Sequence, residues 1–203
     1  MTAVLASFRG FSVRLLAVFA CFILAACYPT TQVPIGSTGP TTPDTRLIGS
    51  WLGQIGDGPE TIYLFFMPRG TDQAEALLVE PAQGQEDGSW SSYTVLNGYA
   101  GTHAVLNARA VLDDGKPAES ADEGYTPLLY RFEEDGSLHL FLLDESATKA
   151  AIRSGKIAGT IKEESYTDSI TLTADGKTLD TFFATPEGIA LFAKPFGVFR
   201  RIG

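Results

Sequence analysis

The sequence predicts a mainly β domain in which about ten short antiparallel strands close into a barrel or pack as a sandwich, with two short helices set among them. Three observations carry this prediction. Beyond residue 45 the apolar residues recur mostly with a period of two. Short Gly, Asp and Pro signals break that pattern into segments of strand length. The same stretch contains no cysteine, so an apolar core and not a disulfide framework must hold it together, and its length suits one domain of ordinary size.

Residues 47–55 open the domain, with Leu47, Trp51 and Ile55 on one face and Gly49 and Gly53 between them. Residues 61–67 are apolar at both parities, which predicts a strand covered on both sides. Residues 74–80 follow, and then 89–96 after the acidic turn Gln85-Glu86-Asp87-Gly88. Residues 102–112 alternate clearly: Thr102, Ala104, Leu106, Ala108 and Ala110 face a dry side, while His103, Asn107 and Arg109 face a wet one. Residues 125–133 and 137–143 flank Glu134-Asp135-Gly136, whose Asp-Gly pair signals a hairpin. Residues 157–163, 169–173, 189–193 and 196–202 complete the strands.

Two segments read as helices. Residues 144–154 (DESATKAAIRS) begin with Asp144 as an N-cap, carry Glu145 early and Lys149 and Arg153 late, and stop at Gly155. Residues 175–184 place Leu179, Phe182 and Phe183 at i, i+3 and i+4, an apolar face expected to lie on the sheet, and Pro186 ends the segment.

The N-terminal region has a different character. Residues 1–26 carry Arg9 and Arg14 and no acid, then run apolar from 15 to 26 and end in small residues, a secretory signal layout. The apolar run is roughly a dozen residues where a spanning helix needs about 20. Residues 28–44 are mostly Pro, Thr, Gly and Ser. They lack the apolar side chains to offset chain entropy and so predict a tether after Cys27, a composition that also suits a glycosylated stalk. The domain proper is then 45–203. Removing 1–26 takes away the two arginines and moves the net charge from −9 to −11. Nucleic acid is therefore not an expected partner.

Leu24-Ala25-Ala26-Cys27 resembles the lipobox of bacterial lipoproteins. The resemblance implies that the Cys27 thiol receives a diacylglyceryl group, that the chain is cut just before it, and that the new amino group is acylated. Two or more acyl chains hold a protein stably on a membrane, where one holds it marginally. Tyr28 stands where an Asp marks inner-membrane retention in enteric relatives, which points to the outer membrane of a Gram-negative bacterium.

Gly49-Ser50-Trp51 at the head of the first strand, with Arg200-Arg201 in the last, resembles the calycin superfamily, lipocalin-like domains in particular. That resemblance implies an antiparallel barrel whose Gly-x-Trp lays an indole across the closed end, with an arginine from a late strand stacked on it. Parity alone leaves Arg200 and Arg201 both open; we favour Arg201. The chain departs from the family in lacking Thr-Asp-Tyr in the middle turn and in where its helices fall. Similar domains occur in lipoproteins of Gram-negative bacteria, a likeness that transfers no activity.

No arrangement for catalysis is legible. His103 and His139 stand alone on their strands, no serine sits in a G-x-S-x-G elbow, and Gly101-Thr102-His103 is no phosphate loop. A zinc site would need further ligands, so no metal or cofactor is expected. Residues 113–123 (DDGKPAESADE) gather five carboxylates around Lys116 without EF-hand spacing and read as a solvated loop. Aromatic residues are more informative. Tyr63, Phe65, Tyr93, Tyr130, Phe132 and Phe141 are candidates to line a pocket, joined on the strands by Phe66 and Tyr99, although such residues fill the core of a small barrel equally well. The expected function is non-catalytic binding of a small apolar or amphipathic ligand. The alternative is an envelope protein-interaction or structural module with a filled core, motivated by the two-sided strand 61–67 and the loop 113–123.

Overall fold

The computed structural model describes residues 28–36, 42–56, 61–82, 87–122, 124–163 and 168–203; the signal-like segment and Cys27 lie outside the described residues. Along the chain come β1 (Thr30–Thr31), β2 (Gly49–Ile55), β3 (Ile62–Arg69), β4 (Gln73–Glu80), β5 (Ser89–Ala100), β6 (His103–Asp113), β7 (Lys116–Pro117), β8 (Thr126–Phe132) and β9 (Leu138–Leu142). Helix α1 (Glu145–Arg153), β10 (Gly159–Lys162), β11 (Ser169–Leu172), α2 (Gly176–Phe183), α3 (Pro186–Ile189) and β12 (Lys194–Ile202) follow.

Eight strands close into an antiparallel barrel in the order β2, β3, β4, β5, β6, β8, β9, β12, and β12 pairs back onto β2. The two-residue β7 is an extra strand on β6. Paired residues share a face, so the register Trp51–Leu64–Leu78 defines the inside. That interior core runs through Leu106, Leu140 and Phe199 on the other strands. The fold is therefore the lipocalin-like barrel that the period-two pattern and the Gly-x-Trp resemblance imply, with fewer barrel strands than segments because β10 and β11 belong elsewhere.

β10 and β11 pair with each other and with β1, forming a small three-stranded sheet. With the helices it covers the outer wall of β6, β8 and β9 and builds a second core, in which Leu172, Leu179 and Phe183 meet Val105 and Leu129 of the barrel. The side chains of Asp144 and Asp175 cap α1 and α2 by accepting from Ala147 N and Thr178 N at 2.8 and 2.9 Å. Burial of Leu179 and Phe183 holds α2 on the barrel, as its apolar spacing predicts.

Four expectations are corrected. Residues 189–193 are not a strand: Pro186 begins a third helix, with the Thr185 hydroxyl accepting from Gly188 N at 3.1 Å, which suits a proline at the first helical position. The expected wet side of β6 is dry at its middle, because the second layer covers it there and Val105 and Asn107 are fully buried, while His103 stays exposed and Arg109 half-buried. Strand 61–67 is not covered on both faces. Tyr63 and Phe65 are half-buried on the outer wall, stacked with centroids 6.3 Å apart, and Met67 is exposed.

The fourth correction concerns the tether. Residues 28–36 pack on the barrel instead of leaving it. β1 adds to the small sheet and exchanges backbone hydrogen bonds with Tyr125, both at 2.8 Å. Ile35 is fully buried, its N–H donating to Asn107 Oδ1 at 2.8 Å and its carbonyl accepting from Asn107 Nδ2 at 2.9 Å. The chain crosses β5 so closely that a Cβ on Gly36, at φ +76°, would stand 2.1 Å from Tyr99 N, and one on Gly98 would stand 2.2 Å from Ile35 O. Composition rightly denies this segment a core of its own, but its backbone groups and two apolar side chains, Val33 and Ile35, find partners on the barrel.

Candidate functional site

One end of the barrel is closed. Trp51 is buried at the head of β2, and its indole N–H donates to Leu47 O at 2.7 Å. Arg201 pairs with Trp51 in the register and therefore shares its face; the guanidinium lies 4.5 Å from the indole centroid. It also donates to Ile48 O at 2.8 Å and to Arg46 O, gripping the strap 44–48 that crosses the end. Arg200 pairs with Leu52, points outward and donates to Asp135 at 3.0 Å, so it takes no part in the closure.

Behind the strap is a small polar cluster. The Tyr130 hydroxyl donates to Asp44 Oδ2 at 3.0 Å and accepts from Asn97 Nδ2 at 3.1 Å, while Arg46 pairs with Asp44 at 2.6 Å. Burial alone would raise the Asp44 carboxyl, but hydrogen bonds from Arg46 and Tyr130 outweigh it and hold the group below the usual carboxylate range. Burial, with the Asp44 charge nearby, pushes the Tyr130 phenol well above its ordinary value. A depressed carboxyl contributes stability above its unfolded value of about 4 and loses that contribution as pH falls through the lower folded value. Asp44→Asn is therefore expected to flatten the loss of stability below about pH 4. Thermal melts of both proteins across the acid range measure this, and parallel acid limbs would contradict it.

Above the cluster lies a cavity of about 90 Å³. Its wall is mainly aliphatic, with Leu64, Leu78, Val95, Leu106, Leu128, Leu140 and Leu142, and Phe66 adds an aromatic ring to it. Tyr28, Tyr93, Thr126 and Phe196 border it toward the end opposite Trp51, and Lys194 Nζ lies 4.4 Å from the Tyr28 ring centroid. Burial raises the Tyr93 phenol, so it remains a neutral hydrogen-bonding handle. For scale, an apolar cavity of about 150 Å³ holds benzene and drug-sized ligands occupy about 300–1,000 Å³. This space therefore suits a slender apolar segment and excludes a bulky molecule.

Of the six candidate pocket aromatics, Tyr93 alone lines the cavity. Tyr130 and Phe132 belong to the closed end, where Phe132 packs 5.9 Å from Trp51 and under the Arg46 guanidinium. Tyr63 and Phe65 are on the outer wall, and Phe141 packs with the second core under Arg131. Sequence reasoning missed Tyr28 and Phe196 as liners: Tyr28 sits in a segment that reads as tether, and Phe196 occupies a bulge of β12 between Pro195 and Gly197.

Among the described residues, the two histidines and the acidic loop are not brought together. His139 bonds to Ser137 Oγ at 3.0 Å on the outer wall, and His103 is exposed at the start of β6. Among the described residues no three metal-ligating side chains cluster, and no helix is long and apolar enough to cross a membrane. The acidic loop is partly built, since β7 pairs back to β6, Ser91 donates to Asp113, and Trp90 N donates to Asp114. A polar crevice of about 410 Å³ between the small sheet and β6 is bordered by Arg109 and Lys162. Arg109 stacks 4.1 Å from the Tyr125 centroid, which offsets its charge, and its Nε makes no hydrogen bond. Comparison with protein-family models, curated proteins and solved structures gives no match.

Proposed function

We propose that this chain is a lipid-anchored envelope protein, held through Cys27 in the outer membrane, whose barrel binds a slender apolar or amphipathic ligand without transforming it. The observation that carries this reading is the cavity, with its mainly aliphatic wall and a few residues of mixed polarity, Thr126, Tyr28 and Tyr93, at one end. An acyl chain end matches both its volume and its lining. Burial of each methylene contributes about 0.8 kcal/mol, so a few carbons suffice for a weak, exchangeable complex.

The ligand reading is tested on the chain from Tyr28 onward, exported behind an ordinary secretory signal and purified without detergent. Mass spectrometry of its organic extract is expected to find a near-stoichiometric acyl compound. Ala108→Leu, which extends a side chain from the cavity wall, is expected to lose that compound with stability unchanged or slightly raised. A clean wild-type extract that stays clean after incubation with fatty acids would sink the reading. The anchor has its own test: Cys27→Ser is expected to leave the precursor uncut and unlabelled by a fatty-acid probe, and unchanged labelling would refute the lipobox.

A second reading has its own observation. On the outer wall, Leu52, Tyr63 and Val79 form one paired row and Phe65 and Leu77 the next, all half-buried, with Met67 exposed beyond them. Such a band suits a protein partner in the envelope. Photocrosslinking from Tyr63 and Met67 in cells is expected to trap one defined partner under this reading and none under the first.

A further inference from the structure

The end of the barrel opposite Trp51 is also where Tyr28, the residue after Cys27, is placed. Tyr28 borders the cavity and packs on the barrel core, and its peptide nitrogen is bonded to Cys27. Adjacent Cα atoms are about 3.8 Å apart, so the backbone attachment point of residue 27 is fixed by its bond to Tyr28 at this rim. The spacer expected from composition lies past this point and cannot hold the barrel away from the lipid. The closed end, with Trp51, Arg201 and the turn between β8 and β9, is at the far end of the strands.

We propose that this rim is a membrane-docking surface, so that the barrel stands on the phospholipid leaflet that holds its anchor and its cavity opens toward the acyl chains. The inference rests on the reading that Cys27 is lipidated. The chemistry of the rim supports it. Tyr28 and Phe196 are half-buried aromatics and Lys194 is an exposed cation over the Tyr28 ring. Aromatic rings beside a long basic side chain suit the boundary between headgroups and acyl chains. Beside β12 at this end, Asp144 is engaged in capping α1 and Glu145 is paired with Lys149, whereas Glu80, Asp113 and Asp114 lie at the tips of β4 and β6. These flank β5, which is four strands from β12 in either direction around the barrel. The docked barrel therefore tilts its β12 side onto the surface and keeps the acidic side in water. A ligand enters this cavity from the leaflet, which fits a small apolar space better than capture from solution.

The test uses the full chain, lipidated in a Gram-negative host and reconstituted in vesicles of phosphatidylethanolamine and phosphatidylglycerol. The domain contains no cysteine, so single nitroxide labels can be placed by Ala193→Cys, beside the rim, and by Glu134→Cys, in the turn at the closed end; both positions are exposed. Collision rates with oxygen, which concentrates in lipid, and with a water-soluble nickel chelate report depth. The rim label is expected to favour oxygen several-fold relative to the closed-end label. Equal ratios at both positions, or the reverse order, on protein whose mass confirms the diacylglyceryl group would overturn the orientation while leaving the anchor intact. A mature chain lacking that mass would overturn both.

Discussion

Trp51→Ala is expected to destabilise the protein by about 3–5 kcal/mol, the usual cost of emptying a large aromatic from a packed core. The indole does more than fill volume. It bonds the Leu47 carbonyl, supports Phe132, and is the surface on which Arg201 lies while gripping the backbone of the strap. Its loss removes the floor of the barrel and unpairs Arg201. Arg201→Ala is expected to cost less, about 1–3 kcal/mol, from a cation–π contact and hydrogen bonds to backbone carbonyls. Arg200→Ala should stay within about 0.5 kcal/mol, because its pair with Asp135 is exposed. Urea denaturation of the three variants measures the order. Equal effects at the two arginines would contradict the closed-end account.

Asn107→Leu is expected to be nearly as damaging, about 2–5 kcal/mol, and to act on a different element. The amide is fully buried and satisfies both backbone groups of Ile35. Leucine leaves that N–H and carbonyl buried without partners, at about 1–3 kcal/mol each. The segment can escape the penalty by detaching from the barrel and hydrating. Hydrogen exchange at residues 30–36 is therefore expected to accelerate strongly, while β2 to β5 keep their protection apart from the global loss of stability. Unchanged protection at Ile35 and Gly36 would show that Asn107 does not clasp this segment.

The barrel was legible because its strands obey a period of two and Asp-Gly turns separate them. Both longer helices were legible too, the first from Asp144 as a cap with the right residues after it and the second from the helical spacing of Leu179, Phe182 and Phe183. What escaped was everything set by contacts between distant residues. Strand parity shows that Phe65 and Phe66 face opposite ways but not which faces the cavity; closure of the sheet turns Phe66 in and Phe65 out. Asn107 reads as a solvent-facing polar residue, because a segment more than seventy residues away, on composition a tether, supplies its partners. Arg200 and Arg201 illustrate the same limit: the motif marks the pair, and only the register with Trp51 selects Arg201. Phe196 was counted within a strand, and the bulge beside it aims it at the cavity.

The central claim is that the barrel interior receives an apolar chain. Methyl NMR of the protein titrated with a medium-chain fatty acid tests it most directly, because leucines mark both surfaces of the wall. The account predicts saturable shifts at the inner methyls of Leu64, Leu78, Leu106, Leu128, Leu140 and Leu142, with Leu52 and Leu77 on the outer wall unmoved, and loss of the response in Ala108→Leu. Shifts confined to Leu52 and Leu77, or none at either surface, would contradict it and leave the barrel as a filled scaffold.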